Sequence, residues 1–186
     1  MLFLDVETTG LNPDIHAVHQ ISGIIYIDGE KKEEFDFNVR PHAGALADKK
    51  ALEIAGVTKD QLRGYESNID VYQKIKTILE KYVDKFDKKD KFFFCAYNAN
   101  FDNSFMWSFL QNAGDNYWGS YVWSGSLDIM ALAAFHLTEQ RAEMPNFKLM
   151  TVALELGIEI DESKLHNSLY DVELTYEIYK KINLKN

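Results

Sequence analysis

The chain has 186 residues, 46% of them hydrophobic, with ten Gly, three Pro, one Cys and a formal net charge of −9. That length and composition suit one folded domain with a substantial core. No stretch has the apolar length of a membrane span, and charge enters at Asp5 before the apolar region of a signal peptide could form, so the expectation is a cytoplasmic protein with no membrane partner. The acidic balance excludes a protein that grips nucleic acid through a broad basic surface, although it does not exclude acting on nucleic acid. Cys95, inside the apolar run 92–96, reads as a small core residue rather than a nucleophile or ligand.

In chain order, residues 2–5 read as a short first strand and 20–27 as a second. The Asp28-Gly29 turn dipeptide then leads to a third strand around 35–39, with the charged stretch 30–34 lengthening the connection. Thr58-Lys59-Asp60-Gln61 has capping-box spacing and opens a short helix ending near Gly64. Ser67 caps a helix with Ile69, Tyr72, Ile75, Ile78, Leu79 and Tyr82 at helical spacing. Lysines 85, 88, 89 and 91, interleaved with Asp, form a solvated loop. Residues 92–97 read as an aromatic strand, followed by a helix over about 102–112 closed by Gly114. A further helix covers 129–137 after Asp128, and another, opened by Asn146 or Thr151, ends at Gly157. The last runs over about 167–182, with Leu169, Val172, Tyr176 and Tyr179 on its buried stripe. Strands mixed with helices, including a hairpin, give an α/β domain with a mixed sheet.

Chemistry concentrates in the acids. Asp5 and Glu7 sit two apart at the end of the first strand, so the period of two puts both carboxylates on one face. No cation lies between them, and the repulsion suits hard divalent ions such as Mg²⁺ or Mn²⁺. Asp102 stands just past a strand at the start of a helix, Asp128 ends another strand, and Asp171 lies near the start of the last helix. Alone, an Asp at a helix start is usually a cap, and Asp128 keeps that reading. His166 precedes Asp171 by five positions, about 140° around a helix, so the pair share a site only if His166 sits on the preceding loop. His16, His19, His42 and His136 read as surface or packing residues. The aromatic residues Trp107, Tyr117, Trp118, Tyr121 and Trp123 read first as core, then as a stacking platform in the 117–123 segment.

Together the segments Asp5-Val6-Glu7-Thr8-Thr9-Gly10, Asn98-Ala99-Asn100-Phe101-Asp102 and His166-Asn167-Ser168-Leu169-Tyr170-Asp171 resemble the three motifs of the DEDDh, DnaQ-like 3′→5′ exonuclease family of the ribonuclease H-like superfamily. They occur in order across nearly the whole chain. Departures are Tyr97 for a frequent His, Ser168 for the usual Ala, and Ala55 for the usual His before Gly56. The resemblance implies a ribonuclease H-like fold with a five-stranded mixed sheet flanked by α-helices, as one exonuclease domain over 1–186. It implies that Asp5, Glu7, Asp102 and Asp171 hold two Mg²⁺ or Mn²⁺ ions, and that His166 is the general base for an attacking water. By the same analogy Thr8 and Leu11 contact the terminal nucleotide, with Asn98 and Phe101 as further substrate-binding candidates; for Phe101 a core role competes.

The implied reaction is hydrolysis of terminal phosphodiester bonds of single-stranded DNA to 5′-mononucleotides. The alternatives are an exoribonuclease or oligoribonuclease acting on RNA, a polymerase-associated proofreading subunit, and, lowest, a non-catalytic nucleic-acid-binding module. The implied partners are single-stranded 3′ ends, with a polymerase or another nucleic-acid enzyme as a tether, in a monomer or dimer. The acidic surface predicts weak, distributive binding without such a tether.

Overall fold

The structure, a computed structural model, describes residues 1–161, 164 and 167–183. Six strands form one mixed sheet: β1 (Leu2–Thr8), β2 (Val18–Ile27), β3 (Glu30–Arg40), β4 (Glu66–Ser67), β5 (Phe94–Ala96) and β6 (Leu127–Asp128), in the order β4-β3-β2-β1-β5-β6. Strand β2 runs antiparallel to both β1 and β3, whereas β5 is parallel to β1, β6 to β5 and β4 to β3. The sheet thus has one strand more than the five expected. The extra member is β4, only two residues long and with too little periodicity to be read as a strand, whereas β6, equally short, ends at Asp128 as expected.

The β2–β3 hairpin turns at Asp28 (φ 52°) and Gly29 (φ 79°), the two positive φ values that a two-residue type I′ turn demands. Strand β3 therefore begins at Glu30. The charged stretch is strand rather than connection, because its ladder to β2 continues from Ile27–Glu30 onward. Its side chains are satisfied at the surface by pairs such as Lys32–Glu30 and Lys81–Glu33, which add little stability of their own.

Alternation along β1 builds two cores. Leu2, Leu4 and Val6 are buried with side chains of α3 (Asn68–Leu79) and α4 (Ala99–Asn112) on one face of the sheet. Phe3 packs on the opposite face with α5 (Ile129–His136), α6 (Leu149–Glu155) and α7 (Ser168–Asn183). Asp5 and Glu7 continue the Phe3 face as the strand leaves the core. Because β1 lies between β2 and β5, inside the sheet, its first residues are paired on both sides, while β2 alone continues along its far end.

The chain between β3 and β4 holds two short helices, α1 (Lys49–Ala55) and α2 (Lys59–Gly64). The capping box forms as its spacing predicts: Gln61 N donates to Thr58 Oγ1 at 3.2 Å and Thr58 N donates to Gln61 Oε1 at 2.7 Å. Helix α1 carries no start signal, since Asp48 makes no side-chain cap, although Gly56 closes its end at φ 67°. Ser67 caps α3 as expected, but Ile69 is 54% exposed and lies outside the core. Helix α4 starts at Ala99, earlier than the acid at 102 suggests, because Asn98 adopts φ 71° and turns the chain within one residue. Cys95 is buried, as are Trp118 and Tyr121, whereas Tyr117 is exposed. Among the described residues no helix is long and apolar enough to cross a membrane.

Candidate active site

The acids come together where β1 runs past its neighbour β5. The parallel pairing of β1 with β5 stops at Phe3–Cys95, which frees the Val6 N–H on that side of the strand. Asp102, buried in the first turn of α4, accepts it through Oδ1 at 3.2 Å. From the other side the hydroxyl of Ser168, the first residue of α7, donates to Asp5 Oδ2 at 2.8 Å. Two helices that share no sequence neighbourhood are thereby tied to two consecutive positions of β1, Asp5 and Val6. Asp171 lies one turn into α7, and its charge reaches Asp5.

Electrostatics mark the cluster. Burial, then the Glu7 carboxylate, push the Asp5 carboxyl up to about 7; Asp171 adds a smaller push and the Ser168 hydroxyl opposes them. Burial raises Asp102 well above the ordinary carboxylate range, with Asp5 the next cause and the Val6 N–H opposing. These are carboxylates held together against their own repulsion, with hydrogen bonds from Ser168 and Val6 partly offsetting it. Such perturbed groups gather at functional sites.

The remaining predicted residues divide. His166 lies outside the described residues. Thr8, beside Glu7, donates its hydroxyl proton to the Gly10 carbonyl at 2.7 Å, which leaves its oxygen lone pairs for a partner. Leu11 is 82% exposed on the loop after β1, an apolar side chain with no core to fill. Asn98 is exposed at the tight turn before α4 and makes no side-chain cap. Phe101 is half-buried and packs on Phe105 with ring centroids 4.8 Å apart, which supports its core role. Asp128 accepts from Ala131 N at 3.1 Å and caps α5, as its structural reading holds. Of the other histidines, His16 is buried against Gly10 and near Asp48, and His19 is buried beside Glu7. Burial pushes the His19 imidazole down to about 4. Ser168 stands out in the sequence only as a departure from the family pattern, with no local signal for its contact to Asp5.

The profile of the exonuclease family RNase_T matches residues 2–179, and the chain belongs to that family, in its DnaQ-like branch. Among curated relatives, Ribonuclease T of Photorhabdus laumondii is 28% identical over 182 residues, covering 95% of this chain and 80% of that protein. Ribonuclease T of Salmonella choleraesuis is 29% identical over 187 residues, covering 96% and 82%. The fold is also that of E. coli Exonuclease I: its zinc-bound complex with single-stranded DNA superposes with a TM-score of 0.78 at 22% identity over all of this chain. Its complex with SSB-Ct gives 0.76 at 20% identity, again over the full chain. The chain spans about two fifths of the length of those Exonuclease I chains. Both sets of neighbours are ribonuclease H-like exonucleases.

The donor chemistry of the cluster fits divalent cations. Asp5 and Asp102 offer hard oxygens, and their mutual repulsion is what a bound cation relieves. Among the described residues no three His, Cys, Asp or Glu side chains already converge as a finished coordination sphere. The fit thus rests on charge and donor type rather than on preset ligand geometry.

Proposed function

We propose that the chain is a divalent-metal-dependent 3′→5′ exonuclease that shortens single-stranded nucleic acid and releases 5′-mononucleotides. The observation that carries this reading is the convergence of Asp5 and Asp102 on one end of β1, with Glu7 and Asp171 close enough to Asp5 to shift its protonation. In this reading Asp5, Glu7, Asp102 and Asp171 hold Mg²⁺ or Mn²⁺, and the bound ions supply Lewis acidity toward the phosphate and make water easier to ionise. His166 accepts the proton of the attacking water, a role that suits an imidazole near neutral pH. The new P–O bond forms as the bond to the 3′-oxygen breaks; that oxygen takes up a proton and stays on the shortened strand. Leu11 packs against the terminal base, and the Thr8 oxygen accepts from the terminal nucleotide. One exonuclease domain in the cytoplasm, acting distributively on free 3′ ends, completes the proposal; the net charge of −9 supports its distributive part.

The relatives named Ribonuclease T favour RNA ends as substrate, and the Exonuclease I complexes favour DNA ends. The direct test is polarity. With Mg²⁺ present, a 5′-labelled single strand should give a descending ladder, and a 3′-labelled strand should release labelled 5′-mononucleotide from the first time point. Release of label from the 5′ end first, or of 3′-mononucleotides, contradicts the proposal.

A further inference from the structure

Beside Glu7 the sheet carries a defect. The β1–β2 register runs Glu7–Gln20 and then Thr8–Val18, so His19 is the extra residue of a β-bulge on β2. A bulge leaves its residue unpaired and re-aims its side chain. Here the His19 side chain is 2% exposed, and its Nε2 has no hydrogen-bond partner among the described residues. An unpartnered buried polar atom is costly, so native proteins rarely keep one without a use.

That imidazole lines a recessed pocket of about 70 Å³. Glu7, Gln20 and Asn38, side by side in the registers of β1, β2 and β3, form part of its wall. Ala55 at the end of α1 and Tyr65 after α2 close the other side. A recess of this size holds water and admits the edge of a sugar. Its polar lining can both give and accept hydrogen bonds. A hydroxyl matches Nε2 in either tautomer of the ring, because a hydroxyl is itself donor and acceptor.

We propose that this cavity receives the 2′-hydroxyl of the 3′-terminal nucleotide, with His19 Nε2 as its hydrogen-bond partner, and so distinguishes ribonucleotide from deoxyribonucleotide ends. The inference rests on the exonuclease reading: Glu7 is a wall of the cavity and one of the acids at the scissile phosphate, so the sugar next to that phosphate lies against it. The 2′-hydroxyl is the group by which a site tells RNA from DNA. Ala55, with only a methyl group, leaves the space that a larger residue there would fill.

The test uses single strands identical except for the last residue, which is ribo, 2′-deoxy or 3′-deoxy, with the intact protein and its His19→Leu and His19→Gln variants. The expected result is a kcat/KM preference of about tenfold for the ribo over the 2′-deoxy end, the worth of one well-made hydrogen bond. His19→Leu should bring that ratio close to one. His19→Gln, whose amide reaches where Nε2 sits, should restore part of it. Calorimetric binding of AMP against dAMP should follow the same order without turnover. An unchanged preference in His19→Leu, equal handling of both ends by the parent protein, or a change confined to the 3′-deoxy strand overturns the assignment. If His19→Leu does not fold, His19→Gln and Asn38→Ala provide the comparison, and unaltered ratios in both count against it. Failure of the parent protein to degrade any strand overturns the exonuclease reading and this inference with it. Degradation without sugar preference overturns this inference alone.

Discussion

Ser168 stands at the position where the family pattern has Ala, and its hydroxyl is given to Asp5 Oδ2 at 2.8 Å. A hydrogen bond to the charged form of a carboxylate favours that form. Ser168→Ala should therefore make Asp5 a poorer cation ligand, and the Mg²⁺ dissociation constant measured by calorimetry should rise several-fold. An unchanged constant would show that Asp5 does not depend on α7 for its charge. His166→Ala should lower kcat about 10²–10⁴-fold with KM little altered, the usual worth of a general base; single-turnover rates in excess Mg²⁺ check it. At this scale the acids themselves were readable, because a period of two and the order of three motifs place them. The contacts that hold them were not. Ser168 to Asp5 and Asp102 to Val6 join residues 163 and 96 positions apart, and no local pattern encodes such a pair.

Elements follow their local chemistry where a strong signal exists and escape where it does not. The capping box at Thr58, the Asp28-Gly29 turn and the Ser67 cap each correspond to a feature observed at the same residue. Helix α1 and strand β4 are short and weakly patterned, and only their tertiary neighbours define them. The same dependence on neighbours appears in β2. Gly23 lies opposite Phe35, and a Cβ built there falls 2.3 Å from the Phe35 ring. Gly23→Ala should therefore destabilise the protein by about 1–3 kcal/mol, the range for forcing atoms into a packed core. Urea unfolding should show a lower midpoint with an unchanged slope. A midpoint equal to that of the parent would mean that the Phe35 ring moves aside freely.

Over the whole molecule, the carboxylate cluster couples stability to pH and to metal. Asp5 titrates near 7 when folded, against an ordinary 3.8, and Asp102 is raised as well. The folded protein therefore holds these protons more tightly than the unfolded chain does. The Asp5 contribution to stability is complete below about pH 4 and is lost as pH rises through about 7, and the raised Asp102 acts in the same direction. Divalent cations compete with those protons, so Mg²⁺ should raise Tm more at pH 8 than at pH 5. In EDTA, Asp5→Asn should be more stable than the parent at pH 8 and differ little at pH 5. Thermal scans at both pH values, with and without Mg²⁺, check the sign; a Tm gain from Mg²⁺ that is equal at both contradicts it.

The central claim is that one metal-loaded carboxylate cluster cuts single strands from the 3′ end. It is tested most directly by a time course on 5′-labelled DNA and RNA oligonucleotides, with Mg²⁺, Mn²⁺ and EDTA arms, for the parent and Asp5→Asn. The account predicts stepwise shortening in the metal arms, none in EDTA, and none from Asp5→Asn in any arm. Shortening that persists in EDTA, or in Asp5→Asn at the parent's rate, would contradict it.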